Sequence, residues 1–368
     1  MIGGRQLSGG GVVVVGSGFA ALEIALALRS QRPTFSVKVI SSETEVVYRP
    51  WLIHVPAGGA PPPVIPFARL LAAAGVEVIA GKAACAEVEA RRVVLESGTQ
   101  IEYGQLVVAS GAVADRDRIP GARDHALFPC DLADAAEFAA RITSSNLHVV
   151  VVFGWERPGP GLEYAAWIAA HRPGVKVTAI DGDGTMARRF GDRATARVRA
   201  ILERRGAQLI TEGPVQRIGE GTVEIGGRTV LGDVIAVAAP LRGATDWLPP
   251  TLADERGMLR VDSAMAAAAG VFGIGDVVSV PEGYRLPPAL RSIQATARGV
   301  ARNVVDALGG GAPKPILRPG SPDTMLPDLA GTAVLVRERR LLLSGRLPLL
   351  LRSSAERRYL RKRSAVVA

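Results

Sequence analysis

Gly16, Gly18 and Ala21 stand in the order G-x-G-x-x-A directly after four valines, Val12–Val15. Each position has a physical reason. Gly16 permits a tight turn, Gly18 has no side chain to block a diphosphate, and Ala21 lets a helix pack closely on a strand. The free N–H groups and partial positive charge at the start of that helix attract phosphate. The chemistry is therefore capture of a dinucleotide. A second set, Gly154, Gly159 and Gly161, follows another β-branched run, LHVVVVF at 147–153. Its spacing is about two residues longer, and Pro158 and Pro160 interrupt it, each removing an N–H donor. Glu163 lies just beyond. Asp181 ends the next apolar run, VKVTAI at 175–180, where an acid binds ribose hydroxyls and repels a 2′-phosphate. A dinucleotide bound there is thus expected to carry no 2′-phosphate. Gly275-Asp276 closes a further short apolar strand, VFGI.

The elements that hold these residues follow an α/β pattern. A strand at 12–15 and a helix with Ile24, Ala25, Leu26 and Leu28 frame the first glycines. Ser36–Ile40 reads as the next parallel strand, and Glu43 is the nearest acid to its end, hence the ribose candidate. Tyr48-Arg49-Pro50-Trp51 is an aromatic loop. Phe67–Ala74 has helical spacing, and Val76–Ala80 is a short strand ending in Gly81-Lys82. From Glu87 to Tyr103 short strands alternate with turns at Ala90-Arg91 and Ser97-Gly98, an antiparallel meander. Leu106–Ala109 returns to a buried strand, followed by Ser110-Gly111. Val198–Arg205 reads as a helix, Val230–Val237 as the last strand of the second unit, and Ser292–Leu308, with Gln294, as a helix.

Length and composition agree. A chain of 368 residues with 48% apolar and 5% aromatic residues builds two or three domains with Ala, Val and Leu cores. No apolar run reaches about 18 residues, and no secretory signal fits, so a cytoplasmic protein is expected. Cys85 and Cys130 form no C-x-x-C, and the four histidines show no metal spacing, which argues against a zinc site, a disulfide framework and a dithiol centre. Cys130 reads as a small apolar filler. The net charge of +9 is concentrated at the end: from Arg337 onward ten Lys or Arg face two Glu, a balance of +8, leaving +1 for the rest. Nucleic-acid binding is therefore not expected.

The order of GSGFAA at 16–21, YRPWL at 48–52, IEYGQLVVASGA at 101–112 and VFGIGDVVSV at 271–280 resembles the two-dinucleotide-domain flavoproteins of the pyridine nucleotide-disulfide oxidoreductase superfamily. Type II NADH dehydrogenases and sulfide:quinone oxidoreductases are its nearest groups. The resemblance spans about residues 10–310. It implies a discontinuous FAD domain at 10–125 and 255–312, an inserted NAD(P)-type domain at 126–254, and a C-terminal extension at 313–368. It places Gly16, Gly18, Phe19, Ala20, Glu43 and Arg49 against FAD, together with Lys82, Ala109, Ser110, Gly111, Gly275 and Asp276. Gly154, Gly159, Gly161 and Asp181 then belong to NADH. Glu163 lies near the nicotinamide and Gln294 near the flavin, as the catalytic pair.

The implied reaction is transfer from NADH through FAD to a quinone-like acceptor. The alternatives are a sulfide:quinone oxidoreductase-like enzyme, disfavoured by the missing cysteine pair, and a tailoring or partner-dependent flavoprotein whose second glycine loop has degenerated. The tail, with Leu347 and Leu349–Leu351 ahead of a basic run, is similar to tails that rest on a membrane: leucines enter the headgroup boundary and arginines meet anionic lipid. Such a protein would lie peripherally on the inner face. A tail packed on the partner of a homodimer, or solvated, is the alternative.

Overall fold

The computed structural model of the chain describes residues 10–155, 157–286, 290–319 and 324–364. Val12–Val15 is buried throughout, as a β-branched strand covered on both faces must be. Its sheet has six strands in the order Ala266–Ala268, Val271–Gly273, Gln105–Val108, Val12–Val15, Val37–Ser41 and Glu77–Ala80. Every neighbouring pair is parallel except the Ala266–Ala268 edge. Register decides what meets. Val15 lies beside Ile40 and Val108, and Val108 beside Gly273. Residues far apart in sequence therefore leave the sheet at one edge, where open α/β sheets bind ligands. The first helix, Phe19–Gln31, packs on the helix Leu290–Leu308.

The second sheet is parallel throughout, ordered Ala207–Ile210, Lys176–Asp181, His148–Phe153 and Val234–Val237. Phe153 pairs with Asp181, so the second glycine set and its acid also share an edge. The helix Pro158–His171 follows that glycine loop.

The meander expected at 87–103 forms from Ala83–Glu87, Arg92–Leu95 and Gln100–Glu102, with Arg91 and Gly98 at positive φ in its turns. Two expectations change. The run 230–237 is not one strand. Arg228–Leu231 closes an antiparallel meander with Val215–Gly219 and Thr222–Ile225, and only Val234–Val237 joins the parallel sheet. The break falls at Gly232-Asp233, where the Asp233 carboxylate accepts the His148 N–H at 2.7 Å. The helix expected from Val198 begins earlier, at Asp192, whose charge suits the first turn.

Packing crosses the expected domain boundaries. Trp247 and Leu248 join the core of the first sheet, as does Tyr359 from the end of the chain. Leu52 and Ile53 join the core of the second sheet, together with Leu329, Val334 and Val336. The extension folds as the antiparallel strands Thr324–Met325, Ala333–Arg337 and Arg340–Gly345 and a last helix, Arg346–Ser364. Among the described residues no helix is long and apolar enough to cross a membrane, and no side-chain cluster could hold a metal ion.

Candidate active site

The first glycine turn is shaped by close approach. Gly16 has φ +150, and a Cβ there would overlap the Ala109 carbonyl. Gly275, at φ +86, would set a Cβ 2.6 Å from that of Ala20. Both glycines therefore let three strand ends converge. Gly18 differs: nothing among the described residues lies within 4 Å of where its Cβ would be, so the start of the first helix is open. Ser110 Oγ donates to the Ala244 carbonyl at 2.7 Å, and Gly111 turns the chain at φ +75. Phe19 stands edge-on to the buried Tyr48 ring, 5.6 Å between centroids. Glu43 is exposed just past the end of its strand, its N–H bonded to Ser41 Oγ, which also donates to Ser17 Oγ at 2.9 Å. An open helix start, backbones without side chains and an exposed acid fit the diphosphate and ribose of FAD.

Asp276 has a partner that sequence reasoning missed. Arg157, from the second glycine loop, holds it with two hydrogen bonds of 2.8 and 2.6 Å. The crowded cleft alone would raise the Asp276 pKa, although 47% of the side chain reaches solvent; the charge and hydrogen bonds of Arg157, with Arg49 beyond, outweigh that and hold it below its ordinary value. A cation inside a phosphate-binding loop was the available signal. Arg49 donates to the Cys130 carbonyl at 3.2 Å, and burial pushes the Cys130 thiol up.

Lys82 is exposed and paired with Glu96 at 2.8 Å, as the meander strand end at Glu96 folds back beside it. Gln294, expected near the flavin, donates to Glu23 at 3.2 Å.

In the second crevice the helix begins at Pro158, so Pro158 and Pro160 fall in its first turn, where N–H groups would otherwise be free. Gly159 has open space around it, and Gly161 lies so close to Phe153 that a Cβ would overlap that side chain. Gly159 thus leaves room at the helix start, and Gly161 lets helix and strand pack closely. Asp181, the expected ribose acid, ends the strand Lys176–Asp181. It is fully buried, Oδ2 accepts the Met186 N–H at 2.9 Å, and Oδ1 has no hydrogen-bond partner among the described residues. Burial pushes its pKa up to about 6. Trp155 and Asp183, which sequence reasoning also missed, sit at the same strand ends: Asp183 accepts the Trp155 N–H at 3.0 Å, and the indole lies against Gly182.

Glu163 is likewise covered. Arg352 of the last helix grips both its oxygens, and Oε1 also accepts the Asp328 N–H at 3.0 Å. Arg352 extends to Glu356 and to the Leu326 carbonyl. One helical face continues to Tyr359 and Arg363, which both bind the buried Glu23. The arginines expected to face lipid are thus divided: Arg352 and Arg363 turn inward because two buried carboxylates need counter-charges. Leu347, Leu350 and Leu351 stay exposed, with Arg357, Arg358, Arg361 and Lys362.

Residues 10–299 match the pyridine nucleotide-disulphide oxidoreductase family. The chain belongs to that family. Its members bind FAD and NAD(H). Among relatives, the ferredoxin–NAD(+) reductase component of a biphenyl dioxygenase system from Paraburkholderia xenovorans is 30% identical over 73% of this chain and 68% of its own. A nitric oxide reductase FlRd–NAD(+) reductase of Aeromonas hydrophila is 28% identical over 84% and 79%. In fold, the sulfide:quinone oxidoreductase of Aquifex aeolicus is similar at TM-score 0.81 and 20% identity, covering 96% of this chain and 91% of that one. As a family member the protein is a flavin-dependent NAD(H) oxidoreductase.

Proposed function

We propose that the protein takes a hydride from NADH onto FAD and passes the electrons to a quinone-class acceptor at a membrane surface. The observation that carries this reading is the Arg157–Asp276 pair, which joins the second glycine loop to the phosphate edge of the first and so puts both on one cleft. FAD, when bound, supplies the hydride-accepting chemistry. The chain's own residues do the rest. The first helix start and Gly18 receive the diphosphate, and Glu43 the ribose. Asp276 offers an acceptor to a ribityl hydroxyl, and Arg157 cancels the repulsion its charge would exert on the phosphates. Ala109, Ser110 and Gly111 line the same edge. Glu163, gripped by Arg352, serves to orient. Gln294 positions through Glu23. Asp181 remains the ribose acid of the second site.

The quinone reading draws support from the exposed leucines of the last helix beside four exposed cations, a face suited to an anionic bilayer. A second reading, an electron-transfer protein as acceptor, is favoured by the relative named a ferredoxin–NAD(+) reductase. A sulfide:quinone oxidoreductase-like reaction lacks a built dithiol: Cys85 is exposed on the meander and Cys130 lies beside Arg49.

Anaerobic titration of the FAD-loaded protein tests the donor. NADH is expected to bleach the flavin band and NADPH to do so poorly. A short-chain quinone should then restore it. No bleaching by NADH contradicts the donor, and recovery with a ferredoxin but not with quinone favours the second reading.

A further inference from the structure

The prolines that open the helix Pro158–His171 leave its start short of donors. A helix start offers its first N–H groups to an anion. Pro158 and Pro160 have none, so the first turn keeps the N–H groups of Gly159 and Gly161. Gly161 lies against Phe153, whereas the space around Gly159 is open. The corresponding turn of the first site, Phe19–Leu22, contains no proline. A diphosphate arriving at the second helix therefore meets fewer dipoles than one at the first, and its charge calls for another donor.

A cation stands at that same helix start. Arg157 is the cap residue, immediately ahead of Pro158, and its N–H donates to the Gly154 carbonyl at 3.1 Å. Its guanidinium is turned across the cleft to Asp276, Nη1 donating to Oδ2 at 2.8 Å and Nη2 to Oδ1 at 2.6 Å. This two-pronged geometry suits a phosphate as well as a carboxylate. The pair is not sealed: 30% of the arginine side chain and 47% of the aspartate side chain reach solvent. Water screens a pair so exposed, and an anion of higher charge can take the guanidinium over. Asp276 follows Gly275, where a Cβ would lie 2.6 Å from that of Ala20 in the first turn of the other dinucleotide helix. Arg157 thus has its backbone at one site and its charge at the edge of the other.

We propose that Arg157 is a phosphate-binding residue of the second dinucleotide site, held on Asp276 until a diphosphate reaches the start of the helix Pro158–His171 and draws the guanidinium over. The inference deepens the reading of NADH as donor and rests on it. The cation makes up for the N–H groups that the two prolines remove. Asp276 then competes with the ligand for one guanidinium, and whatever holds Arg157 to that acid is subtracted from the affinity of the second site.

ADP-ribose, a diphosphate with no hydride to give, tests this by calorimetric titration of the FAD-loaded full chain and four variants. Arg157→Gln is expected to weaken its binding about tenfold, and Arg157→Lys, which keeps the charge and loses the fork, only about threefold. Asp276→Asn should tighten it about threefold by ending the competition. In the Arg157→Gln background the same Asp276 change should alter affinity by less than about twofold, since nothing is left to compete for. Equal affinity in wild type and Arg157→Gln overturns the proposal, as does ADP-ribose that binds none of the five proteins. An Asp276→Asn gain of one size with and without Arg157 overturns it too, because that gain reports only the loss of a negative charge. Where Asp276→Asn does not retain FAD, the two arginine variants decide: recovery by lysine supports the proposal, and equal losses in both contradict it. NADH separates the donor reading. Flavin reduced by NADH in a protein whose ADP-ribose affinity ignores Arg157 keeps the donor and removes this role. Affinity that follows Arg157 in a protein whose flavin NADH does not reduce keeps the role and removes the donor.

Discussion

Asp181 and His54 titrate in the same pH range with opposite consequences. The Asp181 carboxyl keeps its proton to about pH 6 in the fold, against 3.8 ordinarily, because burial disfavours its charge. The folded state is therefore favoured by this group below pH 3.8 and loses that advantage as pH rises through 6. His54, pushed down to about 4 by burial and by the charges of Arg352 and His171, favours the folded state above its ordinary 6.5 and loses that as pH falls through 4. The two slopes oppose between pH 4 and 6. Removing one exposes the other: Asp181→Asn should gain roughly 3 kcal/mol over wild type at pH 8 and almost nothing at pH 4. Urea midpoints at the two pH values measure this; a gain of equal size at both would show that Asp181 is not protonated in the fold.

The last helix carries its charges inward. Arg352, Glu356, Tyr359 and Arg363 recur at helical spacing on the face that meets the rest of the molecule, and the leucines of its first turns face away. Removing one partner of a buried pair leaves the other charge stranded, so Arg363→Ala should cost about 3–5 kcal/mol, against about 1 for Tyr359→Phe. Thermal unfolding with enthalpy, or hydrogen exchange in the first helix, reads the difference; equal small losses would mean that Glu23 is solvated. This helix also marks the limit of what sequence could reveal. The glycine turns were legible because strand, turn and helix are neighbours in the chain, and each glycine's role is local. The inward face was not, because its partners Glu23 and Glu163 stand 340 and 189 positions from Arg363 and Arg352. Without them the leucines looked like the side that docks. Trp155 was equally hidden: nothing in a tryptophan after a glycine says that its ring will lie against Gly182.

At the scale of the whole molecule, the extension serves two surfaces at once. Its inner face joins both dinucleotide-binding halves, and its outer face offers Leu347, Leu350 and Leu351 beside exposed cations. Deleting everything past Leu343 would confuse the two roles by stripping both buried acids. Leu347→Gln, Leu350→Gln and Leu351→Gln combined should instead lower binding to anionic vesicles by about tenfold and leave the thermal midpoint unchanged. Full retention on vesicles would leave the membrane reading without support. The inward stripe also bears on how the protein is made. Arg363, the counter-ion of Glu23, is translated 340 residues after it. Throughout that interval the nascent first helix lacks the counter-charge of its acid. Closure over the helix Phe19–Gln31 therefore waits for the helix Arg346–Ser364, and a polypeptide released between them would hold an unclosed seam for proteases to find.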